Sequence, residues 1–209
     1  MEQLLGEGAD IDRQVLPGHS RREFVRKEVA LSDMVTWAIN TVSPQNFGLK
    51  WYAGRPRPEE VAFKIKNGEI ARGSVMPELY DAIQAMDFGS ATEFTAYPEG
   101  SPDHPSWPAM HSAASAGSLW IPVVMDLTPE QLCEVKAVDY AVSYARTVAG
   151  VHYRSDNLDG LNLGQAILAR ILPDYMQERY GSDPEAVRRK IESVRFDWYD
   201  YLDSSCFAV

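Results

Sequence analysis

The chain has 209 residues, 45% hydrophobic and 24% charged, with a formal net charge of −10 and a pI near 4.9. That length suits one large domain or a pair of small ones with a sizeable core. The acidic balance, with no dense Lys/Arg cluster, argues against nucleic acid as a partner.

Along the chain, helix signals dominate. The segment Met1–Glu7 is acidic and lacks a long apolar run, so no signal peptide is expected. Residues 21–42 place Phe24, Val25, Val29, Leu31, Met34, Val35, Ala38 and Ile39 at helical spacing, with Pro44 just beyond the expected end. A short helix is expected from Pro58, where proline precedes Glu59 and Glu60, and another near Pro77. From Asp87 to Pro108 the Gly/Pro/Ser/Thr-rich chain predicts a long ordered loop of the kind that carries function.

A helix from about Pro108 to Met125 follows. Thr128-Pro129-Glu130-Gln131 is a capping box with proline at the first helical position. The helix it starts has an expected apolar face of Val135, Val138, Ala141, Val142, Ala145 and Val148, and Gly150 suits its stop. A further helix spans roughly 157–180, with a kink expected at Pro173. Ser182-Asp183-Pro184-Glu185 caps a last helix expected to reach about Leu202. Without a strand hairpin or a repeat, the fold class is all-α, a single helical domain over residues 1–209. No stretch approaches the roughly 18–20 apolar residues of a membrane span. The expectation is a soluble chain of unassigned location with no membrane partner. Cys133 and Cys206 stand far apart, so no disulfide is expected.

Three clusters carry candidate chemistry. Lys50 precedes the doubled pairs Arg55-Pro56 and Arg57-Pro58, and Lys and Arg together suit a multivalent oxyanion. His104 and the run Pro108-Ala109-Met110-His111 open a helix after the long loop. Arg146, His152 and Asp156 surround the turn at Gly150, offering a guanidinium fork, an imidazole and an orienting carboxylate. Taken singly, each has a plain reading as a solvated face, a first-turn histidine or an interhelical corner. Jointly they describe a pocket that holds a tetrahedral oxyanion against histidine.

These clusters resemble the signature shared by vanadium-dependent haloperoxidases and type-2 phosphatidic acid phosphatases: Lys-x6-Arg-Pro, then Pro-Ser-Gly-His, then Ser-Arg-x5-His-x3-Asp. Lys50, Arg57 and Pro58 match the first block, Pro108 and His111 the second, and Arg146, His152 and Asp156 the third. The flanks His104-Pro105-Ser106-Trp107-Pro108 and Gly150 to Asp156, leading into Gly160-Leu161 and Leu163-Gly164, look like the algal bromoperoxidase branch. The resemblance covers residues 46–172 and implies the C-terminal catalytic half of a helical-bundle enzyme.

Carried over, it implies that His152 is the axial ligand to vanadate, a place that phosphate or sulfate also fits. Lys50, Arg57, Arg146 and the backbone N–H of Met110 would hold the equatorial oxygens. His111 would handle peroxide protons, Asp156 would hold the geometry, and His104 would line the halide side. The implied partners are hydrogen peroxide, a halide (bromide first) and a small organic acceptor. Where the family has Ser-Gly before the second-block histidine, this chain has Ala109-Met110, and Ala145 replaces the serine before Arg146. Those departures keep two alternatives open: a non-catalytic anion-binding homologue, and a soluble acid phosphatase with His152 as nucleophile. Known haloperoxidases also carry a bundle before the lysine block. An apolar face exposed by its absence predicts a homodimer.

Overall fold

A computed structural model describes residues 20–207, and among them every regular element is helical. The acidic segment at Met1–Glu7 lies outside the described residues. The helices are α1 (Arg21–Ala53), α2 (Pro58–Lys66), α3 (Pro77–Ala85), α4 (Met110–Ser115), α5 (Gly117–Val124), α6 (Pro129–Val148), α7 (Arg154–Tyr180) and α8 (Pro184–Val194). The chain divides into two compact units, Met1–Trp37 and Ala38–Val209, with α1 running through the division. Every site residue belongs to the second.

Helix α1 does not stop before Pro44 but continues to Ala53 with the proline inside it. Proline there removes one backbone donor, yet Ala38, Val42, Asn46 and Lys50, each four residues apart, are all buried. This stripe outweighs the proline. It escaped the periodicity because its last two members are polar.

Helices α2 and α3 begin at Pro58 and Pro77 as expected, each with proline at its start. The long loop holds only a short 3-10 turn, Ala91–Phe94. The helix expected over 108–125 is two, α4 and α5, which break at Ala116. Below the break, Asp139 of α6 accepts the N–H groups of Gly117 (3.0 Å) and Ser118 (2.9 Å), capping α5 from another helix.

That cap also explains a second correction. Thr128 and Gln131 form the expected capping box of α6, but its apolar stripe does not face inward. Val138 is 60% exposed and Val148 69%, whereas Lys136, Asp139 and Ser143 are buried. The inward face is chosen by its polar tasks: Asp139 caps α5, and the Lys136 ammonium lies 4.3 Å from the Phe196 ring centre.

Helix α7 keeps Pro173 inside, as expected, and ends on Gly181 in the left-handed conformation. It approaches α4 closely. A Cβ on Gly160 would sit 2.5 Å from the Ala109 carbonyl oxygen, and one on Gly164 2.0 Å from that of Ala113. Only glycine lets these backbones meet, and that contact sets the position of His111.

The last helix ends at Val194, short of Leu202, and a 3-10 turn follows over Trp198–Asp203. Trp198 is buried beside Leu158 and Leu161 of α7, and Phe196 and Phe207 pack on the same cluster. This return of the tail brings Cys206 to α6, where it forms a disulfide with Cys133, Cα–Cα 5.0 Å. The expectation of two separate thiols is thus corrected. Separation in sequence hid a contact that the aromatic tail creates.

Candidate active site

Helices α1, α4, α6 and α7 and the long loop bring the three clusters to one cavity of about 160 Å3. Its walls include Arg57, His104, Met110, His111, Arg146 and His152, together with Phe47 and Tyr97. No aspartate or glutamate is among the lining residues.

His152 is buried just after the Gly150 turn, where φ is +77°. Its Nδ1 lies 3.2 Å from Asp156 Oδ2, and its Nε2 lies 3.1 Å from Arg57 Nη1. A guanidinium only donates and an ionised carboxylate only accepts, so Nδ1 carries the proton and Nε2 the lone pair. Burial pushes the imidazole down to about 4; the Asp156 hydrogen bond raises it, and Arg57 and Lys50 lower it. His152 is therefore neutral near pH 7, with Nε2 on the cavity side.

Asp156 is fully buried at the start of α7, where it also accepts the Tyr153 N–H (3.0 Å). Arg55 donates to its other oxygen at 2.7 Å and lies 4.2 Å from the Tyr153 ring centre. Burial alone would raise this carboxyl, but the bonds from His152 and Tyr153 and the charge of Arg55 hold it below the ordinary value. Arg55, ambiguous in the sequence, is thus the partner of Asp156, whereas Arg57 faces the cavity.

The Arg57 guanidinium spans the site. Nε donates to the His104 carbonyl (3.0 Å), Nη1 to the Val151 carbonyl (2.8 Å), and Nη2 lies 3.0 Å from His104 Nδ1. Arg146, in the last turn of α6, donates from Nη1 to the Tyr97 hydroxyl, while its Nε is buried with no partner. Buried donors are nearly always satisfied, so this N–H marks a place for an acceptor.

Lys50 departs from expectation. It is fully buried, and Nζ donates to the Pro105 and Ser106 carbonyls, each at 2.9 Å, rather than lining the cavity. Burial and the charge of Arg57 push it down to about 7, against Asp156. These two bonds tie the loop that carries His104 to α1, and with a pKa of about 7 the amine carries its charge only in part near neutrality.

His111 stands exposed in the first turn of α4. Partial burial first, then the charge of Arg146, lowers its pKa. Met110 lines the cavity from a backbone with negative φ, and the cavity stays open beside it. The position does not demand glycine. Ala109 is buried, its N–H donating 2.9 Å to the Asp156 carbonyl and its own carbonyl meeting Gly160. Phe47, edge-on to the His104 ring at 5.0 Å, and Tyr97 were missed by the sequence reading. Both come from stretches without a motif.

The helical fold and this constellation define a class: a histidine with an orienting carboxylate, set in a cationic pocket that no acid lines. Such donors suit a multivalent oxyanion. Among the described residues no group of three or more His, Cys, Asp or Glu side chains converges as a cation site would. The chain belongs to the PAP2 superfamily, whose family model matches residues 29–180. That superfamily includes phosphatases and vanadium haloperoxidases. No curated protein and no solved structure matches the chain. Among the described residues no helix is long and apolar enough to cross a membrane.

Proposed function

We propose that this chain is a vanadium-dependent haloperoxidase of the algal bromoperoxidase type, oxidising bromide with hydrogen peroxide at a vanadate held by His152. The observation that carries this reading is the convergence of neutral His152, Arg57 and Arg146 on one small cavity free of carboxylates. The residues fit the anion. The unpartnered Arg146 Nε is a donor in want of an acceptor, and Nε2 of His152, which accepts from Arg57 at 3.1 Å, is the lone pair that a Lewis acid would take.

Bound there, vanadate would supply Lewis-acid activation of peroxide toward halide. The chain supplies the rest. Asp156 fixes the tautomer and ring plane of His152. An entering anion competes with Nε2 for the Arg57 N–H, so the guanidinium turns to the anion and frees the lone pair. Arg146 neutralises a second oxygen, and Lys50 holds the His104 loop from behind.

His111 at the mouth exchanges the peroxide proton. Its lowered pKa leaves it neutral near pH 7, ready to accept that proton. Phe47, Met110 and Val151 wall the cavity with apolar surface, and about 160 Å3 suits small reactants such as peroxide and a halide ion. At roughly 30 Å3 per water, only a few molecules of that size fit.

One observation favours a second reading. A neutral histidine backed by a buried carboxylate is also a nucleophile. In a phosphomonoesterase, Nε2 would attack phosphorus as the ester P–O bond breaks, and His111 would protonate the departing alcohol. The depressed basicity of His111 fits that acid task less well.

Bromination of a phenolic dye by purified protein, with peroxide and bromide and with or without vanadate, separates the readings. The expected result is vanadate-dependent turnover that falls at least about a thousandfold in His152→Ala, near the scale of losing an essential catalytic group. Absence of vanadate-dependent bromination overturns the proposal. In that case hydrolysis of p-nitrophenyl phosphate assigns the phosphatase, and binding of phosphate without hydrolysis assigns an anion-binding homologue.

A further inference from the structure

Outside the oxyanion cavity lies an open groove of about 640 Å3, a volume typical of small-molecule sites. The two cavities share Arg57, Pro102 and His104. His104, whose ring meets Arg57 at 3.0 Å and packs edge-on to Phe47, thus stands as a shared partition residue with Arg57 and Pro102. Nothing in the proposed chemistry uses the outer groove.

Its lining combines an aromatic platform with negative charge. Trp51, at the C-terminal end of α1, is a groove wall and 64% exposed, which leaves its indole free to meet a ligand. Four carboxylates line the groove, Glu59, Glu60, Glu69 and Asp103, against Arg55, Arg57 and Lys64. Two of those cations are committed elsewhere: Arg55 to Asp156 at 2.7 Å and Lys64 to Glu60 at 2.7 Å. Arg57 is turned to the inner cavity. Glu59 accepts the Ser101 N–H through both oxygens (3.1 and 3.2 Å). Glu69 and Asp103 remain, so a ligand in the groove meets an indole face and an excess of negative charge.

We propose that this groove binds the organic acceptor, and that the acceptor is a small aromatic molecule carrying a positive charge, such as a phenol with an ammonium group. The indole of Trp51 stacks on its ring or cation, and Glu69 and Asp103 select for the ammonium and against anionic analogues. The acceptor then waits across the His104 partition from the site where the halide is oxidised. The assignment of this ligand as an acceptor rests on the haloperoxidase reading; its binding does not.

The test therefore measures binding and turnover separately. Calorimetric titration of the whole protein uses tyramine, 4-methylphenol and 4-hydroxyphenylacetate as cationic, neutral and anionic probes of similar size. Tyramine is expected to bind at least about tenfold more tightly than the anion. Trp51→Ala should weaken tyramine about tenfold, equivalent to about 1.4 kcal/mol. Glu69→Gln with Asp103→Asn should erase the charge preference while leaving 4-methylphenol unchanged. Thermal melts of both variants should match the parent, since these side chains are exposed.

Equal binding of the three probes, or unchanged tyramine affinity in Trp51→Ala, overturns the groove assignment. Bromination is scored in parallel: tyramine should be brominated in preference to the anion, and Glu69→Gln with Asp103→Asn should lose that preference without a change in bromide or peroxide KM. Tyramine binding without any vanadate-dependent bromination keeps the groove and removes the haloperoxidase. Bromination without acceptor preference keeps the enzyme and removes the groove.

Discussion

His152 owes its character to three neighbours of different kinds. Burial pushes its pKa from 6.5 to about 4, while Asp156 supplies the one strong counter-effect. Between those two values the unfolded chain binds a proton that the folded chain refuses. Stability therefore rises with pH across this window, is fully present above about 6.5 and is lost as pH falls toward 4. The size is on the order of 3 kcal/mol at about 1.4 kcal/mol per pH unit. Denaturant midpoints measured at pH 4.5 and 7 should show this slope, and His152→Gln, which cannot titrate, should flatten it. An unchanged slope in the variant would place the imidazole in water rather than in the pocket. Six of the eight expected residues line one cavity, and each block could be picked out because its spacing is local, but the partners within it could not. Arg55 and Arg57 are both followed by proline. Only the fold shows that the first meets Asp156 and the second meets His152.

Helices position these residues, and the decisive contact is α7 against α4. Gly160 and Gly164 bring the α7 backbone onto the Ala109 and Ala113 carbonyls, and a methyl group at either would overlap them. Overpacking of a fixed backbone contact costs about 1–3 kcal/mol and sometimes more. Gly164→Ala should lower the unfolding free energy, read from denaturant midpoints, by that amount or beyond. Gly160→Ala should do so too and should also cut anion affinity, because the Ala109 carbonyl it strikes heads the turn that carries Met110 and His111. Equal stability in both variants would mean that the helices can separate without penalty. The glycines were visible in the sequence, yet their meaning required knowing which helix lies opposite. Starts of helices were read more reliably than their faces, since a capping box is complete within four residues. The inward face of α6 is set by Asp139 and Lys136 reaching other elements, so its apolar stripe pointed the wrong way. The stripe of α1 likewise runs past Pro44 only because Asn46 and Lys50 are buried against expectation for polar residues.

At the scale of the molecule, the C-terminal segment closes the second unit on itself. Tyr201 stacks on Tyr140 of α6 at 4.8 Å, Phe207 meets both rings, and the Cys133–Cys206 bridge secures the return. The tail also reaches toward the active-site loop. Asp159 accepts the Trp107 indole N–H at 2.5 Å through one oxygen and the Tyr199 hydroxyl through the other. One carboxylate of α7 thus joins the loop before His111 to the C-terminal turn. The bridge and these contacts should separate under reduction. A cross-link acts mainly by restricting the unfolded chain, and a loop of 73 residues corresponds to about 4 kcal/mol. At roughly 2–4 °C per kcal/mol for a chain of this size, reduction or Cys206→Ser should lower the melting temperature by about 8–16 °C. The aromatic packing and the Asp159 link need no disulfide, so phosphate affinity of the folded, reduced protein should stay within about twofold. Asp159→Asn should do the reverse, weakening phosphate binding with a smaller change in melting temperature, because it loosens the loop that Lys50 and Trp107 hold. A reduced protein that melts normally would show the bridge to be dispensable. A reduced protein that melts low and also loses the anion would show that the tail is held in place by the bridge, with the aromatic cluster too weak to seat it alone.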